Sequence, residues 1–163
     1  MARPLIVGVM GGARAEAADL QAAYRLGALI AAQGWVLLNG GRGTGIMDAS
    51  ARGAAEAGGL TIGVLPDADR AHASEHIRVA VCTGMGSARN TINVLSSDIV
   101  VACAGGAGTL SEIALALKHG KRVITLGFEA AGIRGLLGPD IALDAAQSPE
   151  AVIRLIQTHC RCK

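Results

Sequence analysis

The sequence predicts a doubly wound, Rossmann-like α/β fold: a parallel sheet of six or seven strands flanked by helices in a single domain. Three observations predict it. Short apolar runs of strand length alternate strictly with segments of helical periodicity. The apolar half of the chain is Ala, Val, Ile and Leu, with one Trp, one Tyr and one Phe, which suits strands covered on both faces by helices. The 163 residues fit one core, and no linker, repeat or low-complexity stretch divides them.

In chain order, strands are read in LIVGVM (5–10), WVLLN (35–39), LTIGVL (60–65), HIRVAVC (76–82), DIVVACA (98–104) and RVITLG (122–127), and a weaker one in DIALD (140–144). Helices are read over about 16–33, 45–58, 86–97, 107–119 and 149–158, with a short or irregular one in EAAGIRGLLG (129–138). Gly34, Gly58-Gly59 and Gly120 fall just past helical stretches, where a left-handed residue stops a helix. Strict alternation implies right-handed β-α-β crossovers. The polar connection PDADRAHASE (66–75) reads either as a surface loop or as a mobile loop over the site.

Composition excludes several function classes. A net charge of +2 is too small to imply a polyanion partner, and the scarcity of aromatic rings argues against a single-stranded nucleic acid platform. No apolar stretch is long enough to span a membrane, so neither nucleic acid nor membrane is expected as partner. The opening MARPLIVGVMGG reads as a first strand, not a signal peptide. Cys82, Cys103, Cys160 and Cys162 form no secreted framework, and two fall in strands or strand ends, which suits a reducing cytoplasm. His159-Cys160-x-Cys162 lacks the further ligands of a tetrahedral site, so no metal ligand set is assigned. Twelve arginines against three lysines supply planar forks suited to phosphate.

Ligands of open α/β sheets bind beyond the carboxyl ends of the strands, where strand order reverses. Three strand ends carry glycine clusters: GVMGGAR (8–14), NGGRGTGIMD (39–48) and CAGGAGTLSE (103–112). Three at one sheet edge predict a phosphate-bearing ligand held by main-chain N–H groups and a helix N-terminus. Gly40 to Gly45 has P-loop spacing, but Ile46-Met47 follows where lysine and a hydroxyl belong. Gly8-x-x-Gly11-Gly12 misses the dinucleotide pattern, and Asn39-Gly40-Gly41 stands where a ribose-binding acid belongs. NAD is therefore not expected. Nor is pyridoxal phosphate, because Lys118, Lys121 and Lys163 lie outside the glycine loops.

Candidate ligand contacts are Gly11, Gly12, Gly40, Gly41, Arg42, Gly43, Ser87, Arg89, Asn90, Gly105, Gly106, Gly108, Thr109 and Glu112. Arg42 sits inside a glycine loop and Arg89 near a helix start; Arg14 reads as solvated. Thr109 is a hydroxyl of the helix N-cap region or a phosphate donor. Glu112, read in the first turn of the same helix, is either a capping carboxylate favoured by the helix dipole or a ligand group. Cys103 reads as a small buried residue.

GGRGTGIMDASARGAAEAGG (40–59) with AGGAGTLSEIALALKHGKRVI (104–124) resembles the Rossmann-like superfamily of the Lonely Guy cytokinin-activating phosphoribohydrolases, many of whose members carry the label "possible lysine decarboxylase". The resemblance runs from about residue 4 to 127. It implies that Arg89 and Glu112 correspond to that family's catalytic pair, which cleaves the N-glycosidic bond of a nucleoside monophosphate. Three positions depart from the family motifs: Asn90 replaces a lysine, Ser87 a histidine and Ala104 a proline. GMGSARNTINVLSSDIVVA (84–102) and GVMGGAR (8–14) instead look like the molybdenum cofactor carrier proteins of algae and cyanobacteria. That resemblance implies a homo-dimer or tetramer that binds and protects molybdopterin. Helices 86–97 and 107–119, apolar and poor in charge before their ends, suit a subunit interface as well as a core.

Overall fold

A computed structural model describes residues 3–128 and 130–161. Seven strands form one fully parallel sheet: β1 (Ile6–Met10), β2 (Val36–Asn39), β3 (Thr61–Leu65), β4 (Val79–Cys82), β5 (Ile99–Ala102), β6 (Arg122–Leu126) and β7 (Leu143–Ala146). Their order is β4-β3-β2-β1-β5-β6-β7. The chain thus winds outward from β1 to one edge, crosses back to β5 and winds to the other. Strand order reverses between β1 and β5, whose register pairs Gly8 with Val100 and Met10 with Ala102.

Helices cover both faces. On one lie α1 (Ala17–Ala32), α2 (Gly45–Glu56) and α6 (Pro149–Arg161); α3 (Asn90–Ser96), α4 (Ala107–Lys118) and the short α5 (Ala131–Leu137) lie on the other. Successive strand side chains alternate between the two layers. Val7, Val9, Val101 and Ile124 join the α1/α2/α6 core, whereas Met10, Val100, Ala102 and Val123 join the α3/α4 core. Both sides of the central strands are buried, as the unbroken apolar runs predict.

Gly34, Gly58 and Gly120 take the left-handed conformation just past α1, α2 and α4, with φ of +70°, +77° and +67°. Gly59 does not. Three elements differ from the sequence expectation. The strand expected over 76–82 begins at Val79, because Ile77 is buried against Gly63. The flanking backbone is held by Thr61, whose hydroxyl donates to the His76 carbonyl (2.7 Å) and accepts from the Arg78 N–H (2.9 Å). The helix expected over 86–97 opens as a 3-10 turn, Gly86–Arg89, and becomes α-helical at Asn90. Gly84 and Gly86 both have positive φ there, which no continuous helix accommodates. The last strand runs over Leu143–Ala146 instead of 140–144, placing Asp144 beside Ile124 and its carboxylate 2.8 Å from Arg122.

Candidate functional site

The carboxyl ends of β1, β2 and β5 open into a cleft of about 520 Å³. Two loops meet at the strand-order reversal: the Gly12 N–H donates to the Ala104 carbonyl at 2.9 Å, and the Cys103 N–H to Met10 at 2.8 Å. Of the residues singled out in the sequence, Gly11, Gly12, Gly40, Arg42, Ser87, Arg89, Asn90, Gly106, Gly108, Thr109 and Glu112 line this cleft. Sites from four separate stretches of sequence converge there.

Gly41, Gly43 and Gly105 do not line it; local backbone conformation and packing explain glycine at 41 and 105. Gly41 has φ +77°, and its N–H donates to Asn39 Oδ1 at 2.8 Å. The Gly43 N–H donates to the His72 carbonyl at 3.1 Å. A Cβ on Gly105 would overlap Thr109 Oγ1. Asn39 also donates from Nδ2 to the Met47 carbonyl (2.8 Å) and to Ser50 Oγ (3.1 Å). The asparagine where a dinucleotide fold carries an acid therefore shapes the turn into α2.

Two arginines form the cationic wall. Arg42 Nη2 contacts both carboxylate oxygens of Asp67, at 2.8 and 3.1 Å. Arg89 Nη1 donates to Asn90 Oδ1 at 3.0 Å and lies 3.7 Å from Glu112 Oε1. The Nε atoms of both arginines are buried without a hydrogen-bond partner. A buried donor left unmade is expensive, so each guanidinium has unspent capacity for an acceptor. Arg14 is exposed, as a solvated arginine should be.

Glu112 is almost fully buried in the second turn of α4 and makes no cap; the N-terminal residue before the helix is Gly106, and no side chain caps it. The first-turn carboxylate expected from the sequence is corrected accordingly. Asn93, wholly buried in α3, donates from Nδ2 to Glu112 Oε1 at 3.0 Å. Burial pushes the Glu112 carboxyl up, against the Asn93 hydrogen bond and the Arg89 charge, which pull it down. Burial likewise pulls Arg89 below the ordinary guanidinium range, with Glu112 opposing and Arg42 adding to the effect. For both groups desolvation outweighs their mutual attraction. Cys103 is buried, and burial foremost pushes its thiol up to about 12, so it is no nucleophile.

Sequence reasoning missed the cleft floor, where Met47 and Pro66, backed by Met10, present an apolar surface. It also missed Asn93 and Asp67, the partners of Glu112 and Arg42. A buried Asn within an apolar helix, four residues after Arg89, was the available signal for Asn93. The connection over 66–75 is tethered, not free: Asp67 holds Arg42, the Ser74 N–H donates to the Gly41 carbonyl (2.9 Å), and Ser74 Oγ donates to Asp48 Oδ1 (2.7 Å).

A larger cavity, about 800 Å³, lies at the opposite sheet edge beside Arg3, Asp98, Lys121 and His159. Its charges are spent on the fold: Arg3 pairs with Asp98, Lys121 Nζ donates to the Ser97 carbonyl, and His159 contacts Asp144 at 3.1 Å. Of the C-terminal tail, Cys160 is exposed and Cys162 lies outside the described residues. No described helix is long and apolar enough to cross a membrane.

The fold and much of the sequence are shared with known proteins. The molybdenum cofactor binding protein from Rippkaea orientalis is 48% identical, with a TM-score of 0.93 over 98% of this chain and 99% of that one. The molybdenum cofactor carrier protein of Chlamydomonas reinhardtii is 40% identical, with a TM-score of 0.87 over 96% and 98%. A cytokinin riboside 5'-monophosphate phosphoribohydrolase from Mycobacterium tuberculosis is 35% identical over 96 residues, 58% of this chain and 51% of that protein. Residues 4–153 match the SLOG cluster4 family over nearly the whole chain; the protein belongs to that family.

Proposed function

We propose that the protein is a molybdenum cofactor carrier: it binds molybdopterin through its phosphate in the glycine-lined cleft and does no chemistry on it. The observation that carries this reading is the pair of buried, unpartnered Nε atoms of Arg42 and Arg89 beside glycine loops, in a chain 48% identical to a molybdenum cofactor binding protein. Gly11, Gly106, Gly108 and Thr109 bring main-chain N–H groups to one side of the phosphoryl group, and Gly12, tied to Ala104, leaves the space beside them open. Arg42 and Arg89 supply charge-assisted hydrogen bonds to its oxygens. Gly40, Ser87 and Asn90 close the rim, and Met47 and Pro66, backed by Met10, offer the ring system an apolar bed. The cofactor brings its own dithiolene-bound metal, so the protein need supply no ligand for it. The carrier acts in the cytoplasm as a homo-dimer or tetramer, assembled through exposed Leu95 and Leu110 on the helices flanking the cleft.

A second reading, hydrolysis of nucleoside 5'-monophosphates, is favoured by one observation: Arg89 and Glu112 stand 3.7 Å apart at the cleft wall. In it Glu112 would stabilise an oxocarbenium-like sugar or activate water, with Arg89 orienting substrate. Burial works against it, because it favours the neutral Glu112 where an anion is needed.

Incubation with AMP and isopentenyl-AMP separates the two. The carrier reading expects saturable binding with negligible release of base and ribose 5-phosphate, and reconstituted molybdopterin bound less well when the 105–109 loop is disrupted. Robust release abolished by Glu112→Gln would overturn it.

A further inference from the structure

A glutamate in a cleft that receives an oxyanion competes with it for the same arginine. We propose that the cleft takes up its oxyanion together with one proton, held by Glu112, and that Asn93 turns its amide to serve both states of that carboxyl. The inference rests on the reading of the cleft as a phosphate site.

The geometry is the starting point. Glu112 lines the cleft, and its Oε1 accepts from Asn93 Nδ2 at 3.0 Å. Asn93 is wholly buried, and its Oδ1 has no hydrogen-bond partner. No third group therefore fixes which way the amide faces. As drawn, Nδ2 donates to a carboxylate. Turned by half a rotation, Oδ1 accepts from a carboxylic acid. An amide carries both a donor and an acceptor end, so the same two residues satisfy either state with one hydrogen bond.

The surrounding charges set the balance. Arg89, from the 3-10 turn, faces Glu112 Oε1 at 3.7 Å and itself senses Arg42 and Asp67. Asn93 from α3 is neutral, as are Ser111 and Thr109 on α4 and the Gly11, Gly12 and Ala13 stretch after β1. Without ligand, Arg89 is the charged group that favours the carboxylate against burial. An arriving oxyanion competes for Arg89 and repels a negative Glu112. Both changes favour the neutral acid. The proton comes from solvent and ends on a Glu112 oxygen, and no bond in the ligand changes.

Linkage gives the sign. Ligand raises the carboxyl pKa, so the complex binds more protons than the free protein and affinity falls as pH rises, by up to about tenfold per pH unit between the free and bound pKa values. Titration calorimetry with AMP, in buffers of different ionisation enthalpy, counts the protons. The expected uptake for the wild type exceeds that of Glu112→Gln by up to about one proton per AMP bound. Glu112→Gln also has the flatter pH profile and the tighter binding at high pH. The titration of AMP itself is common to both proteins and cancels in the difference. Asn93→Leu removes the hydrogen bond that pulls the Glu112 carboxyl down, so the free carboxyl shifts toward its neutral acid and uptake falls below the wild-type value while AMP still binds; a merely structural role for Asn93 would leave the proton count unchanged. Equal proton counts in wild type and Glu112→Gln, with AMP bound by both, overturn this inference alone. Failure of the wild type to bind AMP at any pH overturns the phosphate reading, and this inference with it.

Discussion

The guanidinium of Arg89 lies directly over the main chain of Gly40: a Cβ added there would sit 2.6 Å from Arg89 Nη2 and 2.9 Å from Nη1. The end of β2 thus provides a shelf on which Arg89 reaches the cleft, and only glycine leaves room for it. The other atom in the way is Met47 Sδ, at 2.7 Å. Both obstacles are ends of flexible side chains, so Gly40→Ala should fold with a stability change of about 1 kcal/mol or less. It displaces Arg89, however, and losing one charge-assisted hydrogen bond weakens binding by roughly tenfold or more. Thermal unfolding and AMP titration on the same sample check the two halves of this prediction.

The crossing of α1 on α2 tolerates no such change. A Cβ on Gly53 would overlap the Tyr24 carbonyl oxygen, and one on Gly27 would overlap that of Ser50. These obstacles are backbone atoms of the facing helix and cannot turn aside. Gly53→Ala or Gly27→Ala should cost on the order of 3 kcal/mol through overpacking, roughly 6–12 °C in Tm for a chain of this size. Gly132→Ala in α5, where nothing lies within 4 Å, should be neutral or stabilising, because alanine is the better helix former.

Asp98 ties β5 to β1: it accepts from Arg3 at 2.6 and 2.8 Å and from the Ile6 N–H at 2.9 Å. The Arg3 hydrogen bond, with the Ile6 N–H assisting, holds its carboxyl below the usual carboxylate range. A depressed pKa contributes stability that is present above the unfolded-state value and is lost as pH falls through the folded one. Asp98→Asn should therefore lower Tm at pH 7, by no more than about 3 °C for so exposed a pair. The difference should shrink as pH drops below 4, in thermal scans across pH.

Leu95 and Leu110 are 50% and 55% exposed on α3 and α4, in helices that otherwise carry little charge. If these leucines meet a second copy of the chain, Leu110→Arg should shift the molar mass by light scattering toward the monomer, with the helical circular dichroism unchanged. A mass that does not change from wild type to variant would remove this face from the interface.

The fold was legible because both layers leave the same mark on the sequence: strands such as 99–102 are apolar at every position, and glycines punctuate the helices. What misled was local. Ile77 looks like a strand residue, yet it plugs the core beneath Gly63, and two left-handed glycines delay α3 by four residues. At the site, the glycine loops and Arg42 stand out by their spacing, whereas Arg89 and Glu112, which line the same cleft, are paired in the sequence only by the family resemblance. The apolar floor could not be read, because Met10 and Met47 look like core. Nor could the pairing of Asn93 with Glu112, which joins residues 19 positions apart on two helices whose packing no local pattern encodes.

The central claim is that the glycine-lined cleft grips a phosphoryl group, and a crystal structure of the protein with AMP tests it most directly. The account predicts phosphoryl oxygens within hydrogen-bond distance of main-chain N–H groups over 106–109, with the Nε atom of Arg42 or Arg89 on the opposite side. A phosphate found elsewhere on the surface, with the cleft empty and both Nε atoms still without an acceptor, would contradict it.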